Sequence, residues 1–334
     1  MNKPLPKLTL KDFASDQEVR WCPGCGDYAI LKTLQKLMPE LDRPRENQVF
    51  VSGIGCSSRF PYYMNTFGFH TIHGRAPAVA TGVKLANPEL DVWVITGDGD
   101  GFSIGGNHML HVLRRNVDLQ ILLFNNEIYG LTKGQYSPTS QTGTRSPSSP
   151  MGSVDAPLSP CLVALGAGAT FIARSIDTEA KHLSGVVADS HAHNGAAFVE
   201  ILQNCPIYND GVFEQVKDKK LAPDFRVEVE HGEPIVFGKE GEKAIALDRE
   251  TLSLKVIELA GNEEQVLVHD QHNKVLAQLL AAMQGPDFPV AVGVIYREIK
   301  PSFIDDSMNQ LDLARDKAAS LQALLHSGHT WTVE

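Results

Sequence analysis

Short apolar runs alternate with helix-like segments through the first two thirds of the chain. Residues 91–96 (DVWVIT) and 119–124 (LQILLF) are almost continuously apolar, as is typical of strands buried on both faces of a parallel sheet. Residues 102–115, between these two runs, have the apolar spacing of a helix. The alternation predicts an α/β fold with a mostly parallel sheet flanked by helices. The other predicted strands are 49–52, 169–175 and 197–202, and the other predicted helices are 27–37, 161–166 and 177–190.

The pattern changes after about residue 209. Residues 225–270 carry short charged and β-branched runs separated by turns, which predict small antiparallel hairpins. A helix near 274–284, a strand at 290–296 and a polar helix at 308–325 follow. We therefore expect a main domain over residues 1–210 and a small α+β C-terminal extension over 211–334, which would serve as a subunit contact.

Polar residues stand directly after two of the predicted strands. Asp98 follows the first and Asn126 the second, and open α/β sheets bind their ligands at the carboxyl ends of the strands. Carboxylate and amide oxygens suit Mg²⁺, whose coordination shell is commonly completed by phosphate oxygens. The glycines of the GDGDG stretch let a diphosphate approach the backbone closely. The stretch matches neither the dinucleotide-binding pattern nor the Walker pattern.

Composition excludes several classes of protein. The net charge of −10 argues against a nucleic-acid surface. No apolar run approaches the length of about 20 residues that a membrane span needs, so no membrane association is expected. The N-terminus lacks the apolar core of a signal peptide, which predicts a cytoplasmic protein. In a cytoplasmic chain of this size the five cysteines are not expected to form a disulfide framework.

The cysteines fit metal binding better than a disulfide framework. Cys22 and Cys25 lie in the turn C-P-G-C-G, a metal knuckle, although the second C-x-x-C of a zinc ribbon is missing. A redox role for the C-x-x-C pair would need a preceding strand, which is also missing. Cys56 and Cys205 each follow a predicted strand, and four such thiolates suit a [4Fe–4S] cluster. Cys161 is expected to be structural.

The GDG motif followed by Asn126, which lies 28 residues after Asp98, resembles the thiamin diphosphate motif. The larger set GDGDGFSIGGNH, GIGCSS, IHGRAPAVATGVK and C-P-G-C-G resembles the β subunit of 2-oxoacid:ferredoxin oxidoreductases, in the right order over about residues 15–210. The fold that this resemblance implies is the thiamin-diphosphate-binding fold. The long C-terminal tail is more similar to the 2-oxoglutarate members of the family than to the pyruvate members.

The resemblance also implies roles for individual residues. Asp98, Asn126 and the carbonyl of Ile128 are the implied Mg²⁺ ligands. Arg59 and Leu131 are implied to lie close to the carboxylate of the substrate. The resemblance assigns the four cluster ligands to Cys22, Cys25, Cys56 and Cys205. The residues implied to contact thiamin diphosphate are Ile54, Gly55, Cys56, Ser57, His73, Gly99, Asp100, Gly130 and Leu131.

The activity implied is the oxidative decarboxylation of 2-oxoglutarate with coenzyme A to succinyl-CoA. Thiamin diphosphate carries the reaction, and the electrons pass through the cluster to ferredoxin. The reaction is reversible, as reductive carboxylation in the reductive tricarboxylic acid cycle, and pyruvate or a broad range of 2-oxoacids is the alternative substrate. The sequence has no second α/β half, so an α subunit should supply the pyrimidine-binding domain, in an (αβ)2 assembly.

Two other functional classes remain open from the residues alone. A non-redox thiamin lyase would explain the GDG motif but leave four cysteines without a role. A zinc-binding scaffold would explain C-P-G-C-G but leave the Mg²⁺ motif without a role. Residues 132–150, rich in Ser, Thr, Pro and Gly, fit either a flexible linker or a segment that lies across the active site.

Overall fold

A computed structural model of the protein describes residues 8–315 and 320–333. Its strands belong to two sheets, a large one of eight strands and a small antiparallel one of three strands. The strands are β1 (Gln48–Ser52), β2 (Phe67–His70), β3 (Asp91–Gly97), β4 (Leu119–Asn125), β5 (Phe171–Ile176), β6 (Ala196–Leu202), β7 (Arg226–Val229), β8 (Val236–Phe237), β9 (Lys243–Asp248), β10 (Ser253–Glu258) and β11 (Val290–Arg297).

The large sheet has the order β2-β1-β3-β4-β6-β5-β11-β7. The first six strands of this order are parallel, β11 runs antiparallel to β5, and β7 runs parallel to β11. This arrangement confirms the predicted α/β class with a mostly parallel sheet.

Helices cover both faces of the large sheet. In β3, Val92 and Val94 pack into one core, while Trp93 and Ile95 pack into the other, because successive side chains of a strand point to opposite faces. Both faces are buried, which explains the nearly continuous apolar runs of the sequence. The helices are α1 (Leu10–Phe13), α2 (Asp27–Leu37), α3 (Phe60–Tyr63), α4 (Ala76–Ala86), α5 (Asp98–Phe102), α6 (Gly106–Arg114), α7 (Pro160–Ala167), α8 (Ala180–His191), α9 (Glu214–Lys217), α10 (Ala222–Phe225), α11 (Lys274–Ala282), α12 (Phe303–Arg315) and α13 (Leu321–Leu325).

The predicted helix at 102–115 is wrong at its start. The DGDGF stretch that directly follows β3 forms the short helix α5, and α6 begins at Gly106 after a turn. Strand β2 and helix α4 had no counterpart among the predicted elements. The reason for β2 is physical: it is an edge strand whose residues are all exposed, so its sequence lacks the apolar pattern that marks the inner strands.

The C-terminal part of the chain contributes to both sheets. Strands β8, β9 and β10 form the predicted antiparallel hairpins, whereas β7 and β11 extend the large sheet. The single helix predicted at 308–325 is wrong, since α12 begins at Phe303 and α13 is separate, with residues 316–319 outside the described residues. The domain boundary at residue 210 stays a prediction. No helix in the described ranges is both long enough and apolar enough to cross a membrane.

Candidate functional site

One cleft lies at the carboxyl ends of the neighbouring parallel strands β1, β3, β4 and β6. Its position is set by topology, because the carboxyl ends of parallel strands meet at one edge of a sheet. The loops that follow these four strands all contribute to its wall. The lining residues include Ile54, Gly55, Cys56, Ser57, His73, Asp98, Gly99, Asp100, Asn126, Ile128, Tyr129, Gly130, Leu131 and Gln203. The structure thus brings together in one cleft the residues that the sequence assigned to Mg²⁺ and thiamin diphosphate.

The oxygen atoms beside Asp98 have the chemistry of a magnesium site. Asp98 is 2% exposed, and its Oδ2 accepts a hydrogen bond from the Thr139 hydroxyl at 2.7 Å. Burial raises the pKa of Asp98, and hydrogen bonds from Ser137 and Thr139 oppose that shift. Asn126 and Ile128 lie in the same cleft and add an amide oxygen and a backbone carbonyl. A carboxylate, an amide and a carbonyl oxygen are ligands that Mg²⁺ accepts, so the residues fit the ion.

The segment 132–150 packs against the loops that carry Asp98 and Asn126. Ser137, Thr139 and Ser140 are buried, although the segment has the composition of a linker. The Ser140 hydroxyl donates to the backbone carbonyl of Glu127, and Thr139 bonds to Asp98. The segment is therefore packed against the loops that follow β3 and β4, and it is not a free linker.

Replacement of Thr139 tests whether this segment supports Asp98. Thr139→Val keeps the shape of the side chain and removes the hydrogen bond to Asp98, so we expect Mg²⁺-dependent thiamin diphosphate binding to weaken about 10–100-fold. Isothermal titration with thiamin diphosphate at fixed Mg²⁺ measures this change. Thr142→Val is the matched control, because the Thr142 hydroxyl donates only to the Asp155 carbonyl. Equal binding by the Thr139 variant and the wild type would show that Asp98 needs no support from this segment.

Asp100 holds together the loops around the cleft. Its Oδ1 accepts from the backbone N–H of Ile54 at 3.0 Å and of Gly74 at 2.7 Å, and its Oδ2 accepts from the Thr96 hydroxyl at 2.6 Å. His73 Nε2 lies 3.6 Å from Asp100 Oδ1 and has no hydrogen-bond partner, although the atom is buried. The imidazole ring of His73 lines the cleft, and this nitrogen lies on the side of Asp100.

Gly99 and Tyr129 both line the cleft and lie against each other. A Cβ atom at Gly99 would lie 2.2 Å from the Tyr129 ring, so any side chain there would displace the ring. The Tyr129 hydroxyl donates to the Gly99 carbonyl at 3.0 Å, which fixes the two loops to each other. Position 99 therefore requires glycine, because the Tyr129 ring lies too close to leave room for a side chain.

The four predicted cluster cysteines gather beside the cleft. A Cβ atom at Gly130 would lie 3.4 Å from Cys56 Sγ and 3.6 Å from Cys205 Sγ, so both sulfur atoms face this glycine. The C-P-G-C-G turn lies next to Cys205, because the N–H of Gly26 donates to the carbonyl of Asn204 at 3.2 Å. Gly26 directly follows Cys25, and Asn204 directly precedes Cys205. The loop that carries Cys56 lines the thiamin-type cleft as well.

Burial raises the pKa of Cys56 to about 12, and the neighbouring Asp27, Cys205 and Cys22 add to the shift. The Cys56 thiol is therefore protonated until a metal displaces the proton. Among the described residues, no group of three or more His, Cys, Asp and Glu side chains is arranged to hold a single metal ion. A [4Fe–4S] cluster differs, because its own iron and sulfide atoms separate the four thiolates, and the four converging cysteines fit this group.

Cys161 lies apart from this set. It is fully buried, and its Sγ donates to Glu200 Oε2 at 3.2 Å. The same carboxylate forms a buried ion pair with Arg174 at 2.7 Å. Cys161 is thus a core residue of α7 that contacts the buried Arg174–Glu200 ion pair of β5 and β6.

A second cavity adjoins the first. Ile54, Gly55 and Leu131 line both cavities, and Arg59 lines only the second. The Arg59 Nε donates to the Tyr63 hydroxyl at 3.0 Å, which directs the guanidinium along the cavity wall. The remaining lining residues include Arg20, Tyr62, Tyr63 and His70. Arg59 and Leu131 therefore line the same cavity, next to the thiamin-type cleft.

Sequence reasoning missed three residues of the site, namely Thr139, Tyr129 and Gln203. Gln203 follows β6 directly, as Asp98 follows β3, so the rule that ligands bind at strand ends could have identified it. Thr139 carried no comparable signal, because its partner Asp98 is 41 residues away in the sequence.

The fold and the cleft define the class of the protein as a thiamin diphosphate enzyme. A family model described as "Thiamine pyrophosphate enzyme, C-terminal TPP binding domain" matches residues 53–201. This match spans the loops after β1, β3 and β4. Within this class, the chain belongs to the family of 2-oxoacid:ferredoxin oxidoreductase β subunits, on the basis of the relatives described next.

The chain is similar to several proteins of that family. It is 52% identical to "2-oxoglutarate oxidoreductase subunit KorB" of Mycobacterium tuberculosis over 97% of this chain and 88% of the relative. It is 43% identical to "2-oxoglutarate synthase subunit KorB" of Methanocaldococcus jannaschii over 56% of this chain and 70% of the relative. A solved structure of 2-oxoglutarate:ferredoxin oxidoreductase from Magnetococcus marinus, with 2-oxoglutarate, coenzyme A and succinyl-CoA bound, superposes with a TM-score of 0.78 and 31% identity, covering 96% of this chain and 95% of that one. The chain is thus a subunit of a thiamin-dependent 2-oxoacid oxidoreductase.

Proposed function

We propose that the chain is the β subunit of an enzyme that oxidatively decarboxylates 2-oxoglutarate to succinyl-CoA, with electrons leaving through a [4Fe–4S] cluster to ferredoxin. One observation carries the proposal: the loop Ile54–Ser57 lines the thiamin-type cleft and also holds Cys56, whose sulfur faces the same glycine as Cys205. A cofactor that releases electrons and a group that accepts them would therefore share one loop. This adjacency gives a short electron path.

The residues of the cleft have defined tasks in this reaction. When bound, thiamin diphosphate supplies the nucleophile and the electron sink for decarboxylation of a 2-oxoacid. Asp98, Asn126 and the Ile128 carbonyl would hold the Mg²⁺ that binds the diphosphate. The imidazole of His73, which lines the cleft, would contact the cofactor or substrate. The other cofactor contacts would be the main chain of Ile54, Gly55, Ser57, Gly99, Gly130 and Leu131, around the carboxylate of Asp100.

The cysteines would form the electron exit. A [4Fe–4S] cluster on Cys22, Cys25, Cys56 and Cys205 supplies one-electron acceptance. Cys22 is exposed, so the cluster would lie close enough to the surface for a soluble carrier such as ferredoxin. We expect the complex to act in the cytoplasm, where free cysteines stay reduced.

Arg59 is the proposed determinant of the substrate. 2-Oxoglutarate carries a second carboxylate, and the guanidinium of Arg59 stands in the cavity that adjoins the cleft. Some of the similar proteins are named as 2-oxoglutarate enzymes, and others are named only as 2-oxoacid enzymes. Pyruvate or a broad range of 2-oxoacids is the alternative substrate.

Replacement of Arg59 tests this assignment. Arg59→Leu removes a charge-assisted contact, so kcat/KM for 2-oxoglutarate should fall by about 10–100-fold, as expected for the loss of about 1.5–3 kcal/mol. The value for pyruvate should change much less, because pyruvate has no second carboxylate. Arg20→Leu serves as the comparison, since Arg20 lines the same cavity but pairs with Glu18 at the surface. An unchanged ratio of the two substrates in Arg59→Leu would remove Arg59 from the substrate site.

The cleft needs a second subunit. Thiamin enzymes use a glutamate beside the aminopyrimidine ring, which in this family comes from the pyrimidine-binding domain of the α subunit. The apolar side chains of Ile72 and Ile104 are exposed close to the cleft, as an interface would require: Ile72 directly precedes His73, which lines the cleft, and Ile104 packs against Gly74. We expect an (αβ)2 assembly, inactive as the isolated β chain, with residues 211–334 contributing subunit contacts.

The decisive experiment uses the chain purified anaerobically with its α subunit. Viologen reduction is followed with coenzyme A and either 2-oxoglutarate or pyruvate, in protein whose thiamin diphosphate, iron and sulfide have been measured. Faster reduction with 2-oxoglutarate supports the proposal. Faster reduction with pyruvate would keep the reaction and overturn the substrate. A thiamin-loaded complex without iron, inactive with both acids, would favour a non-redox lyase, and zinc in place of iron would favour a scaffold.

A further inference from the structure

Gln203 lies between the two halves of the site. It follows β6, is 1% exposed, and its backbone N–H donates to the Asn125 carbonyl at 2.8 Å. This bond ties the end of β6 to the end of β4. The side chain therefore has a fixed origin, with the loop that carries Asn126 on one side and the C-P-G-C-G turn on the other.

The amide of Gln203 contacts both neighbours. Its Oε1 accepts a hydrogen bond from Asn126 Nδ2 at 2.8 Å. Its Nε2 donates to Cys25 Sγ at 3.2 Å and to the backbone carbonyl of Asn204 at 3.1 Å. A primary amide has one acceptor end and one end with two donors, and all of these contacts match that polarity. If the Gln203 amide were reversed, its NH2 group would face the NH2 group of Asn126, and its oxygen would face the sulfur of Cys25.

The two contacts have different chemical consequences. Asparagine binds a hard cation through its oxygen, so a partner for its NH2 group fixes which way the Asn126 amide faces. A hydrogen bond to a cysteine ligand stabilises negative charge on the sulfur and raises the reduction potential of an iron–sulfur cluster. Gln203 makes both contacts with one rigid group.

We propose that Gln203 is a positioning residue that orients Asn126 for Mg²⁺ and tunes the cluster through Cys25, so that thiamin diphosphate binding and cluster potential are linked. The inference rests on the proposed function, because it assigns Gln203 to the Mg²⁺ and cluster sites of that function. The link is reciprocal: binding of thiamin diphosphate with Mg²⁺ shifts the potential of the cluster, and the oxidation state of the cluster changes the affinity for the cofactor.

The first test replaces the amide with an apolar side chain in the complex with the α subunit. Gln203→Leu removes both contacts, so thiamin diphosphate binding at fixed Mg²⁺ should weaken about 10–100-fold. The midpoint potential of the cluster, followed by electron paramagnetic resonance in a redox titration without cofactor, should become more negative. The shift in potential that the cofactor causes in the wild type should be lost.

A second variant separates the two contacts. Gln203→Glu, measured above the pKa of the introduced carboxyl, still accepts from Asn126, but it has no hydrogen to donate to Cys25 and adds a negative charge, and both changes lower the cluster potential. We expect cofactor affinity close to that of the wild type with a more negative cluster potential. The control is Gln120→Leu, which removes another buried glutamine, near the opposite end of β4, and should leave the affinity and the potential unchanged.

Two results would overturn the inference. One is an unchanged potential in both Gln203 variants, and the other is a cofactor-induced shift that persists in Gln203→Leu. A wild-type complex without iron and sulfide would instead overturn the proposed function, and would be seen before any variant is compared. Because Gln203→Glu keeps the contact with Asn126, it provides the test of the potential even where Gln203→Leu fails to fold.

Discussion

Asp98→Ala should abolish retention of thiamin diphosphate. The substitution removes the only charged ligand that we assign to Mg²⁺, from a position that is 2% exposed. Breaking a buried charge pair costs about 3–5 kcal/mol, which corresponds to a loss of affinity of about 100-fold or more. The cofactor content of the purified complex and the Kd for thiamin diphosphate at fixed Mg²⁺ measure the effect.

Two further variants make this test specific. Asp98→Asn keeps an oxygen ligand and loses only the charge, so its affinity should fall between those of the wild type and Asp98→Ala. Asp91→Asn changes a carboxylate at the opposite end of β3, where Asp91 pairs with Arg43 and His191, and should not affect cofactor binding. Full thiamin occupancy in Asp98→Ala, at a melting temperature close to that of the wild type, would refute the Mg²⁺ assignment.

Cys56→Ser should lose the cluster, whereas Cys161→Ser should retain it. Cys56 faces Cys205 across Gly130, but Cys161 bonds to Glu200 in the core and lies apart from the other cysteines. We expect Cys161→Ser to keep about four iron atoms per chain, as a [4Fe–4S] cluster requires, and Cys56→Ser to lose most of them. Iron and sulfide analysis of anaerobic preparations gives this result directly.

The effect of Cys56→Ser on viologen reduction tests the same assignment through function. Electron transfer should stop, although thiamin diphosphate should still bind, since the main chain of the Ile54–Ser57 loop is intact. Equal iron loss in the two serine variants would mean that the ligand set is different. Equal retention would move the cluster, and the electron exit, to another subunit.

The strand-end rule explains what the sequence revealed. Asp98, Asn126 and Cys56 each follow a buried apolar run, and parallel strands bring such positions to one edge of a sheet. The rule required only the local apolar pattern and the polar residue after it. The structure brings all three residues into one cleft.

What the sequence concealed depends on distant partners. The strand-end rule could place Gln203 at the site, but its bond to Asn126 joins residues 77 positions apart, so the sequence could not identify its partner. Thr139 lies in a segment with the composition of a linker, and only tertiary contacts give it a structural role. Strand β2 has no buried face, so hydrophobic periodicity could not identify it.

The antiparallel strand β11 makes the catalytic half of the molecule dependent on residues far along the chain. It covers the edge of β5, and its Ala291 carbonyl accepts a hydrogen bond from buried Arg174. A polypeptide ending near residue 210 would contain the whole cleft, yet it would expose β5 as an unpaired edge and leave that guanidinium without one of its acceptors. Exposed edges of this kind recruit other strands, so the shortened protein should aggregate. During translation, all residues of the cleft are therefore synthesised well before β11, the strand that covers the edge of β5.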